Sequence, residues 1–143
     1  MIALGSDHGG LELKKEVMTY LDENKIEYKD FGTYSMDSCD YPDYAHAAAK
    51  SVQTGECEKG ILICSTGIGI SIAANKHEGI RCALVHNVLS AELTRDHNNA
   101  NMIAMGGIIV GKGLALKIVD TFLNTEFSGV ERHARRVNKI EEV

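Results

Sequence analysis

Five short strand-like segments punctuate the chain, and each is followed by a stretch with helical spacing or composition. IALGS (2–6), GILIC (60–64), IRCALV (80–85) and NMIAMG (101–106) are mainly apolar runs, while IEYKDFG (26–32) alternates. Continuous apolar strands are those covered on both faces, as in a parallel sheet. Between them, LELKKEVMTYLDEN (11–24) sets Leu13, Val17 and Leu21 four apart on one helical face. DYAHAAAKSVQTG (43–55), ISIAANK (70–76), SAELTRDHN (90–98) and LALKIVDTFLN (114–124) read as further helices; in the last, Ala115, Ile118, Val119 and Phe122 share a face. The tail, 125–143, is charged and helical in part, and TYSMDSCDYP (33–42), with the only proline, reads as a surface loop with a functional role. The alternation predicts an α/β domain with a parallel, doubly wound sheet. Ligands of such sheets collect beyond the carboxyl ends of the strands. That rule marks Ser6-Asp7-His8, Cys64 to Ser71, His86-Asn87 and Gly106-Gly107.

Length and charge narrow the function. At 143 residues the chain is one domain, 1–143, with no repeat, linker or low-complexity stretch. A net charge of −5 argues against a nucleic-acid partner, because phosphate backbone is bound by basic residues. No apolar stretch reaches the ~18 residues of a membrane span, and no signal-peptide pattern precedes the strand at Ile2. Cys39, Cys57, Cys64 and Cys82 form no CxxC pair and no zinc spacing. Reduced thiols in the cytoplasm are the expectation.

CSTGIG (64–69) is the most informative stretch. Gly67 and Gly69 permit a tight turn and close approach of a ligand to the backbone. The helix that follows presents free N–H groups and the positive end of its dipole, a cradle for an anion or oxyanion. A cysteine beside such an end gains thiolate character and suits a nucleophile or a general base. Cys64 also reads as a small buried hydrophobe that ends a strand. The turn is neither a GxGxxG fingerprint nor a Walker A loop. Asp7 suits a helix cap. His97 suits a histidine interacting with a helix C-terminal dipole. Arg132 and Arg136, four apart, fit either a solvated face or a phosphate clamp. Tyr41 reads as a loop or rim aromatic, and the three other cysteines as structural or incidental.

GSDHGG (5–10), DYPDYA (40–45), GILICSTGIGISIAANK (60–76), GIRCALV (79–85), RDHNNAN (95–101) and RHARR (132–136) together resemble one sugar-phosphate isomerase family. It holds ribose-5-phosphate isomerases of the B type with galactose-6-phosphate and allose-6-phosphate isomerases. The resemblance covers essentially the whole chain. It implies a three-layer α/β/α sandwich with a Rossmann-like five-stranded parallel sheet and a C-terminal helical tail (about 126–143) that packs on a partner subunit. It implies interconversion of ribose 5-phosphate and ribulose 5-phosphate in the pentose phosphate pathway, without metal or cofactor. It implies homodimers, often further paired into tetramers, whose active sites draw on two chains.

The resemblance also implies roles. Cys64 matches the base that moves a proton between C2 and C1 of an enediolate; members that use a glutamate carry it where Ile70 stands here. The backbone of Ser65, Thr66, Gly67, Ile68 and Gly69 matches the anion hole, with Ser71 just beyond it. Thr66 matches the residue that assists near the ring oxygen. His97 matches the ring-opening acid, with Asp7 and Tyr41 nearby, and Asn98 a substrate ligand. His8, Arg132 and Arg136 match the phosphate contacts. Three differences stand out: Ser65 replaces the usual glycine, Ile108 stands where many members carry an arginine that Arg135 could replace, and the loop at 129–133 is one residue longer. The alternatives are a hexose phosphate isomerase, a non-catalytic sugar-phosphate-binding module, and a metal-dependent isomerase with Asp7, His8 and His97 as ligands, for which no spacing motif is present.

Overall fold

In the computed structural model, which describes residues 1–143, five strands form one sheet: β1 (Ile2–Ser6), β2 (Tyr28–Asp30), β3 (Lys59–Cys64), β4 (Cys82–Leu84) and β5 (Met102–Gly106). Their spatial order is β2-β1-β3-β5-β4, with every neighbouring pair parallel. Helices α1 (Leu11–Glu23), α2 (Tyr41–Gln53), α3 (Ile68–Ala74), α4 (Val88–Asp96) and α5 (Lys112–Asn124) connect them or follow the last, and α6 (Glu131–Glu141) ends the chain.

Side chains on a strand alternate between its two faces, and the two cores follow that alternation. Leu4, Ile61, Ile63, Ile103 and Met105 face Val17 and Leu21 of α1, Ala91 of α4, and Ile118, Val119 and Phe122 of α5. Ala3, Leu62, Cys64, Met102 and Ala104 face Ala45, Ala48 and Ala49 of α2 and Ile70, Ala73 and Ala74 of α3. The second core is built of small residues, so α2 lies close to the sheet: a side chain at Gly5 would meet the Tyr44 carbonyl at 3.1 Å. The three-layer sandwich is therefore as expected.

The helix after β1 packs on one face and the helix after β3 on the other. They diverge at the carboxyl ends of two neighbouring strands, the switch point where ligands bind in such sheets. Register fixes that edge, because Ser6 pairs with Ile63 and Cys64 with Gly106.

Several helices begin earlier than their sequence suggests. Pro42 is not in the loop but in the first turn of α2, where a missing N–H costs nothing. Tyr41 is therefore the first helical residue rather than a loop aromatic. α3 starts at Ile68 because Gly67 caps it with φ 77°. α4 starts at Val88 because the Asn87 side chain accepts from Ser90 N–H at 2.7 Å. One charge is buried on the way: Lys14, 1% exposed, donates from Nζ to Asp30 Oδ1 and to the Thr33 carbonyl, both at 2.6 Å. That tie anchors the start of the 33–40 loop.

Candidate active site

The turn after β3 is held from several sides. Gly67 N–H donates to Cys64 Sγ at 3.1 Å, an arrangement suited to sulfur that carries negative charge. The carbonyls of Cys64 and Ser65 accept from Gly107 N–H (2.8 Å) and Ile108 N–H (3.1 Å). Gly106 N–H in turn donates to His86 Nε2 at 3.1 Å. The ends of β3, β4 and β5 thus form one mesh, and the four places marked by the strand-end rule meet there.

Glycine is required at two points of the turn. Gly67 has a positive φ, and a Cβ on it would lie 2.7 Å from Leu84 Cδ1 and from the Met105 carbonyl carbon. A Cβ on Gly69 would lie 2.5 Å from Tyr41 Cζ and 2.7 Å from its hydroxyl. Tyr41 therefore lays its phenol directly on the turn. With the Cys64 and Ser65 carbonyls spent on the β5 end, the N–H groups of Ser65, Thr66, Gly69 and Ile70 have no acceptor in the chain. Four unpartnered donors on one short turn beside a thiol have the makings of an oxyanion cradle. The Ile68 N–H is occupied by Thr66 Oγ1 at 3.2 Å, and the Ser71 hydroxyl by the Ile68 carbonyl at 2.7 Å.

Asp7 and His8 stand across the switch point. Asp7 is buried and its Oδ1 accepts from Gly10 N–H at 3.1 Å, so it does cap the short 3-10 turn His8–Gly10. His8 Nδ1 accepts from Cys39 N–H at 3.3 Å, with Cys39 Sγ 3.8 Å away. The Ser65 hydroxyl lodges in space that Gly9 leaves by lacking a side chain. A serine is accommodated at this position for that reason.

His97, Asn98, Arg132 and Arg136 lie elsewhere. α4 begins beyond the carboxyl end of β4 and runs back, so His97, its C-cap, sits near the amino end of the sheet. β3 and β5 pair from Gly60–Met102 to Cys64–Gly106. That run alone separates the two edges by about 13 Å at ~3.3 Å per residue. At the amino edge the His97 ring packs on the His133 ring of α6, centroids 4.4 Å apart, with Asp96 Oδ2 3.4 Å from His97 Nε2. His133 is held below the ordinary histidine value, first by desolvation and then by His97 and Arg132. Arg132 and Arg136 are exposed and make no ion pair, whereas Arg135 is bound by Glu131 at 2.7 Å. Asn98 opens on a cavity of about 760 Å³ lined also by His77, Arg81, Thr94 and Ile140, all at this same edge. The tail docks on its own chain through buried His133 and Val137 and the 2.7 Å Arg81–Glu141 pair.

The same sequence aligns end to end with known proteins. Residues 2–140 match the family described as ribose/galactose isomerase. The chain belongs to that family. Ribose-5-phosphate isomerase B of Escherichia coli strain K12 is 48% identical over 139 residues, 97% of this chain and 93% of that protein. A ribose-5-phosphate isomerase B structure from Clostridium thermocellum superposes with a TM-score of 0.97 at 52% identity, covering 99% of this chain and 95% of the other. The Mycoplasma genitalium enzyme, solved with ribulose-5-phosphate bound, gives 0.94 at 40% identity, covering 99% and 93%. The isomerase fold expected from the sequence is thereby matched over its full length.

Two residues escaped the sequence reading of this isomerase. Cys39 reads from the sequence as structural or incidental, yet it lies against His8. His133 was hidden inside RHARR, where the arginines drew notice. Only knowledge that α6 folds back on the end of α4 reveals its contact with His97.

Proposed function

We infer that the chain interconverts ribose 5-phosphate and ribulose 5-phosphate through an enediolate. The observation that carries this reading is the set of four unpartnered N–H groups beside Cys64. Cys64, as thiolate, takes the C2 proton of the open aldose and returns it at C1, while the C2 hydroxyl proton passes to O1, which leaves the ketose. The negative charge that develops on the sugar oxygens is met by N–H groups already in place, a large term in such catalysis. Thr66 and Tyr41 border the same turn. Ring opening comes first: the C1–O4 bond breaks, O4 receives a proton from His97, and the C1 hydroxyl gives one up to water. His8, Arg132 and Arg136 hold the phosphate.

His97 cannot reach Cys64 within one chain, since a strand's length lies between them. The complete site is therefore one in which a second copy lends His97, Asn98 and the α6 arginines to the cradle of the first. The exposed apolar side chains Ile68, Ile72, Leu89 and Ile108 suit such an assembly. A homodimer is the smallest assembly with this property. Four free cysteines fit a reducing compartment, the cytoplasm.

The test is complementation. Cys64→Ala and His97→Asn variants should each lose roughly 10³-fold in turnover of ribose 5-phosphate. Mixed after dissociation and reassociation, they should regain activity, because a mixed pair has one site with both groups. With random pairing, half the dimers are mixed and half their sites complete, which is about one quarter of the unmutated rate. No recovery in verified mixed pairs would overturn the two-chain site. A higher kcat/KM for allose 6-phosphate would move the substrate to the hexose.

A further inference from the structure

His133 has no part in the roles considered so far, yet its buried ring packs directly on that of His97. Its Nδ1 lies 2.7 Å from Ser128 Oγ, and that oxygen also accepts from Val130 N–H at 3.2 Å. The loop before α6 is fixed in turn by Ser128 N–H on the Asp96 carbonyl, 3.1 Å. His133 is buried while the His97 ring is half exposed. The two rings are tilted by 42° with centroids 4.4 Å apart, a contact just tighter than the ~4.5 Å at which attractive aromatic pairs begin. The exposed ring is therefore packed on a buried one whose own nitrogen is tied to a backbone-anchored hydroxyl.

We propose that His133 is the positioning residue for His97, and that through α6 it joins sugar-ring opening to phosphate capture. This rests on His97 acting as the ring-opening acid. α6 places Arg132 directly before His133 and Arg136 three residues after it. A phosphate drawn to those arginines settles on the helix that also fixes the His97 ring. The charged groups around the pair are Asp96 on α4 and Arg132 and Arg136 on α6. A neutral His133 gives His97 a ring to pack against without a second positive charge beside it. This matters because His97 must hold a proton to deliver it to O4.

Ribulose 5-phosphate separates this role from mere support of the fold. Its O5 carries the phosphate, so it cannot close a furanose ring and needs no ring opening. Exchange of its C1 hydrogen with deuterium from solvent uses only the Cys64 cradle. The experiment measures turnover of ribose 5-phosphate and C1 exchange of ribulose 5-phosphate for His133→Ala, His133→Phe, Ser128→Ala and His97→Asn, with melting temperature recorded for each. His133→Ala should slow ribose 5-phosphate turnover about 10- to 100-fold, the scale of a misplaced catalytic group. C1 exchange and KM should stay within about twofold. His133→Phe, which restores a ring face, should recover part of the loss, and Ser128→Ala should show a smaller loss of the same kind. Equal losses in both assays, or none in either, would overturn the proposal. Should His133→Ala fail to fold, Ser128→Ala decides by the same criterion. If His97→Asn keeps full turnover, the acid assignment itself fails. If His97→Asn separates the assays and the His133 and Ser128 variants do not, only the positioning role fails.

Discussion

The two edges of the sheet are built in opposite ways. At the carboxyl edge the proposed functional groups are mostly backbone N–H groups, fixed by ladder register and by bonds from Gly107 and Ile108 to the turn. At the amino edge the proposed ones are side chains in contact with solvent, His97 at the end of α4 and Arg132 and Arg136 on α6. Backbone donors in a mesh cannot relax toward a charge, so they suit one that appears only during reaction. A phosphate is charged from the start and moves with its substrate, and flexible guanidiniums suit its capture. The contrast assigns the harder electrostatic task to the stiffer edge.

Substitution at Gly67 should have the largest effect. Gly67→Ala meets Leu84 and Met105 and demands a left-handed residue with a side chain. Together these cost about 2–4 kcal/mol in stability. Turnover should fall by more than about 100-fold, since a displaced turn loses Cys64 and its donors together. A folded variant with near-normal kcat would deny that the carboxyl edge must be rigid.

Next in size comes a difference between neighbours on α6. Arg132→Ala and Arg136→Ala should each lower kcat/KM for ribose 5-phosphate by roughly 10-fold or more, the scale of one charge-assisted hydrogen bond. Arg135→Ala should change it by less than about twofold, because Glu131 already holds that guanidinium in an exposed pair. Steady-state kinetics on the three variants checks the ranking. An equal loss at Arg135 would mean that it replaces the arginine absent at Ile108.

The smallest effect concerns pH at the amino edge, where His77 lines the cavity beside Asn98. His77 lies below its ordinary value of 6.5, through burial first and then the charges of His46 and Lys50. Its ring shares a 2.8 Å hydrogen bond with His46. The unfolded chain thus takes up this proton at higher pH than the folded one. The stabilising contribution is complete above about pH 6.5 and is lost as pH falls through the lower folded value. Melting temperature should therefore decline on the acid side, and His77→Gln should flatten that decline. An unchanged slope in the variant would show that other groups control it.

Features that depend on local spacing were legible in the sequence. The strand at 60–64, the glycines after it and Cys64 at its end were all readable, because strand burial and turn chemistry are short-range. Pro42 misled, since a proline in a polar stretch reads equally as loop or first helical turn, and only the fold distinguishes them. The Ser65 hydroxyl could not be placed without knowing that Gly9 stands opposite. Which groups share an edge was likewise hidden. Cys64 suits catalysis from its turn and His97 only from the family resemblance, and the length of a parallel strand, rather than any motif, sets them apart.

That separation has a consequence for how activity depends on amount. On the two-chain reading, each site is a product of association, so its population follows mass action. Dilution would abolish turnover while every chain remained folded. Specific activity would then rise with protein concentration, half-maximal near the dissociation constant of the pair.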